Sequence, residues 1–120
     1  MSEAREDAFV ALYEADLAGL ATPGAAGLGG RARRMVDGVM ANQEAIDAAL
    51  EDLSHSWKLS RMPAVDRALL RLGAFEIGYT ETPIAVVIAE IVALAKRYST
   101  DRSGPFVNGV LAALAKTTAR

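Results

Sequence analysis

The chain has 120 residues and a formal net charge of −2, and it contains one histidine and no cysteine. This length allows one domain with a core, but the composition excludes a disulfide framework, a thiolate metal site and any site built from several histidines. The large basic excess of a general polyanion binder is missing. No apolar stretch reaches the roughly 18–20 residues that span a membrane, and the charged N-terminus differs from a signal peptide. We therefore expect a soluble, cytoplasmic protein.

Hydrophobic periodicity predicts helices in the first half of the chain. Apolar residues recur at helical spacing between residues 3 and 20, and a Gly- and Pro-rich loop follows at residues 21–30. Residues 31–53 hold two apolar sets separated by the polar "ANQE", which predicts two helices with a break at residues 41–44. In the linker that follows, we interpret His55 as a loop residue.

Two prolines mark the next helices. Pro63 and Pro83 suit first helical turns, which predicts helices over residues 63–79 and 83–98. Glu76 projects into the apolar face of the first of these, where a carboxylate must be hydrogen-bonded or paired. We expect Glu76 to be buried and bonded to Asn108, or to a backbone or cationic group nearby. Both polar residues are interpreted as structural.

The stretch "SGPFVNGVL" at residues 103–111 carries two conflicting patterns. Asn-Gly between apolar residues is typical of a hairpin, whereas Pro105 suits the first turn of a helix. Apolar residues continue at helical spacing, so we predict a helix over residues 104–117. Gly109 inside it costs roughly 0.5–1 kcal/mol relative to Ala, which close packing of a neighbouring helix would offset. The fold class predicted is all-α, with six or seven helices in one domain, 1–120, divided into halves 1–53 and 54–120.

Four sequence blocks, in this order, resemble the NusB family of bacterial transcription antitermination factors, and most closely its actinobacterial members. The blocks are "ALYEADL", "AVDRALLRLGAFEIGY", "TPIAVVIAEIVALAKRYSTDRS" and "FVNGVL". The resemblance implies a pair of perpendicular three-helix bundles, with no catalysis and no cofactor. It also implies partnership with NusE, a small-subunit ribosomal protein, joint binding of boxA RNA, and action on RNA polymerase that permits reading through terminators, notably in rRNA operons.

The resemblance also suggests individual roles. The family usually opens with an Arg-rich segment that meets RNA phosphates, and here only Arg5 matches. Arg102 stands where the family usually has an acidic residue, and a cation there can partly replace the missing arginines. Together with positions beside the RNA-binding edge, the predicted RNA-binding residues are Arg5, Lys96, Arg97, Arg102 and Phe106.

A partner-binding face is implied as well. Tyr13 and Asp66 match family positions on that face, and Arg67 adjoins Asp66. Two further features are candidate contact surfaces. One is a second basic group after the Gly-rich loop, formed by Arg31, Arg33 and Arg34, which is a weaker candidate for RNA contact than Lys96, Arg97 and Arg102. The other is a patch of small apolar residues that would permit a homodimer, formed by Val86, Ala89 and Ala93.

Two alternative functions stay open. The acidic N-terminus favours a protein-only helical adaptor that has weak or lost RNA binding. The second alternative is the NusB-like RNA-binding module of an rRNA cytosine methyltransferase; a chain ending at Arg120 leaves no room for the catalytic domain, so this applies only to a fragment. We expect no independent enzyme, because the sequence has no nucleophile–base set, metal-ligand spacing or phosphate-loop motif.

Overall fold

The computed structural model describes residues 3–20, 23–24, 27–53 and 58–118, so His55 lies outside the described residues. Within these ranges the chain forms five α-helices, one short 3₁₀ helix and no strand. The elements are α1 (Glu3–Ala18), α2 (Gly30–Leu53), the 3₁₀ helix (Leu59–Arg61), α3 (Ala64–Tyr79), α4 (Ile84–Tyr98) and α5 (Ser103–Thr117). The all-α class is confirmed, and the predicted count of six or seven helices is wrong.

The missing helix is explained by α2, which is continuous through "ANQE" where a break was predicted. Ala, Gln and Glu are good helix formers. The side chain of Asn42 donates a hydrogen bond to the carbonyl of Gly38 at 2.8 Å, one turn back. The amide group of Asn42 is therefore satisfied without interrupting the helix. Val39 and Ile46 are both buried on the core side, so the two apolar sets form one continuous face.

The central element is α3, which packs against α1, α2, α4 and α5. Its apolar residues point into the core on several sides, and Leu69, Leu72 and Ile77 are fully buried. One hydrophobic core joins helices from both sides of residue 53. Glycine allows α5 to pack closely on α3, because a Cβ at Gly73 would lie 2.8 Å from Leu111 Cδ1 and force a shift in the packing. Among the described helices, none is long and apolar enough to cross a membrane.

The helix interpretation of residues 104–117 is confirmed, but the predicted packing at Gly109 is wrong. A Cβ at Gly109 would meet nothing within 4 Å, and Asn108 beside it is also exposed. The glycine of α5 that has a close neighbour is Gly104, where a Cβ would lie 3.3 Å from both Cγ and Cε of Lys96. The close approach is therefore made by the last turn of α4 to the first turn of α5.

Candidate nucleic-acid interface

Exposed cations converge where α4 ends and α5 begins. Lys96 lies in the last turn of α4, and its aliphatic stem packs across Gly104 in the first turn of α5. Arg102 immediately precedes α5, is exposed, and makes no side-chain hydrogen bond or ion pair with any described residue. Lys96 and Arg102 thus belong to adjoining helix ends, and we call the surface formed by Lys96, Arg97 and Arg102 the cationic edge.

The turn between these helices is held by hydroxyl groups and a carboxylate. The Oγ atoms of Ser99 and Ser103 lie 2.7 Å apart, and Ser99 Oγ donates to Oδ1 of Asp66 at 3.3 Å. The backbone N–H of Ser103 donates to the Thr100 carbonyl at 3.0 Å. Asp66 is only 4% exposed. It therefore anchors the turn to α3, which makes this carboxylate a positioning group for the cations beside it.

Phe106 stands one helical turn after Arg102, and its backbone N–H donates to the Arg102 carbonyl at 3.2 Å. The ring is half-buried and packs against the hydrophobic core. Part of the ring therefore remains accessible close to the cations. Stacking of an unpaired base on Phe106 stays a prediction.

Arg97 differs from its neighbours because an acidic residue already engages it. Arg97 is 58% exposed, and its Nη1 lies 3.2 Å from Oε1 of Glu6 on α1. The other carboxylate oxygen of Glu6 accepts a hydrogen bond from the hydroxyl of Tyr98. This hydrogen bond raises the pKa of Tyr98 above its ordinary value of 10. An anion that binds Arg97 must therefore compete with Glu6.

Tyr98 is the residue at this edge that the sequence does not reveal. Tyr98 follows Ile84 and Ile91 at seven-residue spacing, a helical pattern that predicts a core position for Tyr98, yet the residue is 40% exposed at the end of α4. The Arg97 guanidinium lies 5.7 Å from its centroid, and the Phe9 ring lies 5.1 Å from it. The sequence indicates the exposure of Tyr98 only by placing it at the last residue of an amphipathic helix, directly after Lys96 and Arg97.

The structure buries Arg5, which the sequence predicts to contact RNA. Its guanidinium is 2% exposed and is bonded to Glu76 and to Glu90. Nε and Nη2 each donate to a Glu76 carboxylate oxygen at 2.7 Å, and the pair raises the pKa of Arg5 above its ordinary value. The structure does not support the predicted contact of Arg5 with RNA phosphates, because the side chain is buried and already bonded to two carboxylates. The predicted burial of Glu76 is confirmed, and of the partners predicted for it the structure shows the cationic one, Arg5, whereas Asn108 is exposed.

The residues of the predicted partner face lie on α1 and at the start of α3. Tyr13 is half-buried and stacks on Phe9, with ring centroids 5.9 Å apart. Phe9 also contacts Tyr98, so an aromatic row links this face to the cationic edge. Asp66 is buried, as described above, and partner contact through its side chain would need access that the closed turn does not provide.

Arg67 forms an internal connection. Its Nε and Nη2 donate to Oδ2 of Asp16 at 2.8 and 2.6 Å, and its Nη1 donates to the carbonyls of Leu59 and Met62 at 2.8 and 3.0 Å. Arg67 therefore joins α1, α3 and the 3₁₀ segment, a role that needs no partner. Elsewhere in the described ranges, no group of three or more His, Cys, Asp or Glu side chains could hold a metal ion.

These features define an all-α domain with a cationic edge at one interhelical turn. The NusB family model matches residues 2–116, and the chain belongs to the NusB family. The transcription antitermination protein NusB of Cutibacterium acnes is 47% identical over 94% of this chain, and the one from Clavibacter michiganensis is 40% identical over 98%. The chain spans about half (47%) of the length of the first relative and 97% of the second.

Solved structures agree with the family assignment. NusB of T. maritima superposes with a TM-score of 0.86 at 32% identity, covering 98% of this chain and 91% of the other. A complex of the antitermination factors NusB and NusE with dsRNA gives a TM-score of 0.84 at 32% identity, covering 95% of this chain and 94% of the matched chain. At these identities the likeness supports both the fold and the family.

Proposed function

We propose that this chain is an RNA-binding transcription antitermination factor. In this proposal it binds boxA RNA together with NusE and helps RNA polymerase read through terminators, notably in rRNA operons. The observation that carries the proposal is the convergence of Lys96 and Arg102 on one preorganised turn, with the accessible part of the Phe106 ring beside them. A structural relative at 32% identity, solved with NusE and dsRNA, supports it.

The charges at the edge determine how RNA binding should behave. Arg5 is buried and Arg97 is shared with Glu6, so few cations are ready to meet phosphates. The lone protein should therefore bind RNA weakly. Its affinity should fall with salt, because each phosphate contact on a single strand contributes about 0.7 to the slope of log K against log salt. NusE should tighten binding by adding contacts of its own.

The proposal is tested by titrating a boxA RNA and an unrelated RNA of equal length, with and without NusE, over a salt series. We expect weak binding by the chain alone, and tighter, boxA-selective binding when NusE is present. No RNA shift in the presence of NusE would contradict the proposal.

The protein-only adaptor is the second candidate, and the internal pairing of Arg5 and Arg97 favours it. This candidate predicts that the chain forms a complex with NusE while RNA does not join it. Size-exclusion chromatography of the chain with NusE, with and without boxA RNA, separates the two functions. A ternary complex supports antitermination through RNA, and a binary complex that excludes RNA supports the adaptor.

A further inference from the structure

Three exposed arginines at the start of α2 have no role in the fold described so far. Arg31, Arg33 and Arg34 are all exposed, and none of their side chains makes a hydrogen bond or ion pair with a described residue. Four other arginines behave differently, because each bonds a carboxylate; these are Arg5, Arg67, Arg71 and Arg97. The group at α2, which we call the α2 arginine cluster, therefore has no internal counter-charge among the described residues, a property it shares with the isolated residues Arg61 and Arg102.

The position of the α2 arginine cluster works against folding stability. The start of a helix carries the positive end of the helix dipole, so cations are unfavourable there and carboxylates are favourable. The first turn of α2 contains no acidic residue. Asp37 follows Arg33 by four positions and Arg34 by three, yet it forms no ion pair with either. Three cations so close together also repel one another, so the fold alone does not explain them.

The cluster and the cationic edge lie on either side of the first turns of α1. Gly27 and Leu28, just before α2, line the same cavity as Asp7 of α1. Glu6, the preceding residue of α1, contacts Arg97 and Tyr98 at the end of α4. Because consecutive Cα atoms are 3.8 Å apart, Arg31 can be no more than about 11 Å from Leu28. The start of α2 and the end of α4 therefore both lie near the first turns of α1.

We propose that the α2 arginine cluster binds phosphates of the same RNA that the α4–α5 edge holds, at nucleotides flanking the segment bound there. This inference rests on the proposed function and extends it to a second contact region. Guanidinium groups suit this task because their planar donors match phosphate oxygens in a bidentate geometry. Contacts to phosphates position the strand without reading its sequence. The cluster should therefore raise affinity for boxA and for unrelated RNA alike.

The test compares three variants in the presence of NusE, with boxA RNA that carries flanking nucleotides on both sides. The first is the triple variant Arg31→Gln, Arg33→Gln, Arg34→Gln. The second, Arg102→Gln, tests the α4–α5 edge on which the proposed function rests. The third, Arg61→Gln, is the matched control, because Arg61 is also exposed and without an ion pair but follows the opposite end of α2.

The triple variant should reduce the slope of log K against log salt by up to about 2, since each lost phosphate contact accounts for about 0.7. Affinity for boxA and unrelated RNA should fall by the same factor, and the Arg61→Gln control should match the original chain. The melting temperature of the triple variant should not fall, because cations are removed from the positive end of a helix dipole.

The outcomes separate the inference from the function on which it rests. If Arg102→Gln weakens binding while the triple variant keeps the original slope and affinity, the α2 arginine cluster does not contact RNA and the inference is overturned. If the original chain with NusE binds no RNA, the proposed function fails and the inference fails with it. Equal weakening by the triple variant and by Arg61→Gln would show a general charge effect and would also overturn the inference.

Discussion

Arg5 and Glu76, 71 positions apart in the chain, meet in a bidentate ion pair in which both nitrogen–oxygen distances are 2.7 Å. Arg5 belongs to α1 and Glu76 to α3, and Glu90 brings α4 to the same guanidinium. Arg5 and Glu76 are 2% and 1% exposed, so neither charge has water to stabilise it if the other is removed. This group of charges therefore fixes how three helices meet.

Removal of one member of this pair should be costly. Arg5→Met leaves the Glu76 carboxylate buried without its cation, and we expect a loss of about 3–5 kcal/mol in the free energy of unfolding. The measurement is urea denaturation followed by circular dichroism. Arg97→Met is the matched control, because it removes an arginine from an exposed pair, which should cost about 1 kcal/mol or less.

The double variant Arg5→Met, Glu76→Leu separates the cost of an unpaired charge from the worth of the pair. Apolar side chains often replace a buried ion pair with little loss, so the double variant should recover most of the stability. A single variant no less stable than the Arg97→Met control would show that the helices do not depend on this pair.

Two glycines inside helices should respond to alanine in opposite directions. Gly109→Ala adds a methyl group in open space and should stabilise the chain by about 0.5–1 kcal/mol, because Gly is a poor helix former. Gly73→Ala gains the same propensity but forces a Cβ to 2.8 Å from the fully buried Leu111, and such overpacking typically costs about 1–3 kcal/mol. Thermal denaturation of both variants tests the helix packing, and an increase in stability for Gly73→Ala would contradict it.

Two tyrosines provide a matched pair of variants that tests the predicted partner face. Tyr13 stacks on Phe9 and Tyr79 stacks on Phe75, each with ring centroids 5.9 Å apart. If Tyr13 contacts NusE, Tyr13→Ala should weaken NusE binding at least tenfold, whereas Tyr79→Ala should leave it unchanged. Isothermal titration calorimetry measures both affinities, with circular dichroism as a check on folding. Equal affinities for the two variants would remove Tyr13 from the partner face.

Substitutions at Arg102 and at Phe106, which are proposed to contact RNA, should weaken RNA binding in different ways. Arg102→Glu should weaken boxA and unrelated RNA by the same factor, because phosphate contacts carry no sequence. Phe106→Ala should cost roughly 1–3 kcal/mol of binding if a base stacks on the ring. Because Phe106 also packs against the core, Phe106→Leu serves as a variant that keeps apolar volume. Unchanged affinity for both Phe106 variants would exclude stacking, and unchanged affinity for Arg102→Glu would favour the adaptor.

The hydrogen bond between Tyr98 and Glu6 predicts a pH dependence at alkaline pH. The folded chain holds the Tyr98 proton more tightly than the unfolded chain does, because the pKa is raised above 10. The contribution of this group to stability is therefore complete below pH 10 and is lost as the pH rises through the folded-state pKa. Phenolate absorbance, with Tyr98→Phe subtracted, measures that pKa. Glu6→Ala should lower it, and an unchanged value would show that the hydrogen bond is not formed.

The helices were largely predictable because their apolar residues recur with helical period. The buried carboxylate of Glu76 was predictable too, since a charged residue on an apolar face needs a partner. The identity of that partner was not, because Arg5 occurs among exposed acidic residues, where arginines usually face solvent. Local polarity also predicted a false break in α2, because a stretch of four small or polar residues does not end a helix whose buried face continues on both sides. Exposure at Gly109 depends on which face α5 turns toward α3, and only tertiary packing decides that.

The position of α3 has a consequence for how the chain loses its structure. Every other α-helix packs on α3, and its residues form the middle of one shared core. A local opening of either half would expose the apolar surface of α3, so partial unfolding should be nearly as costly as complete unfolding. Amide hydrogens of Leu69, Leu72 and Ile77 should therefore exchange only through global unfolding. The chain should behave as one cooperative unit whose sequence halves do not melt separately.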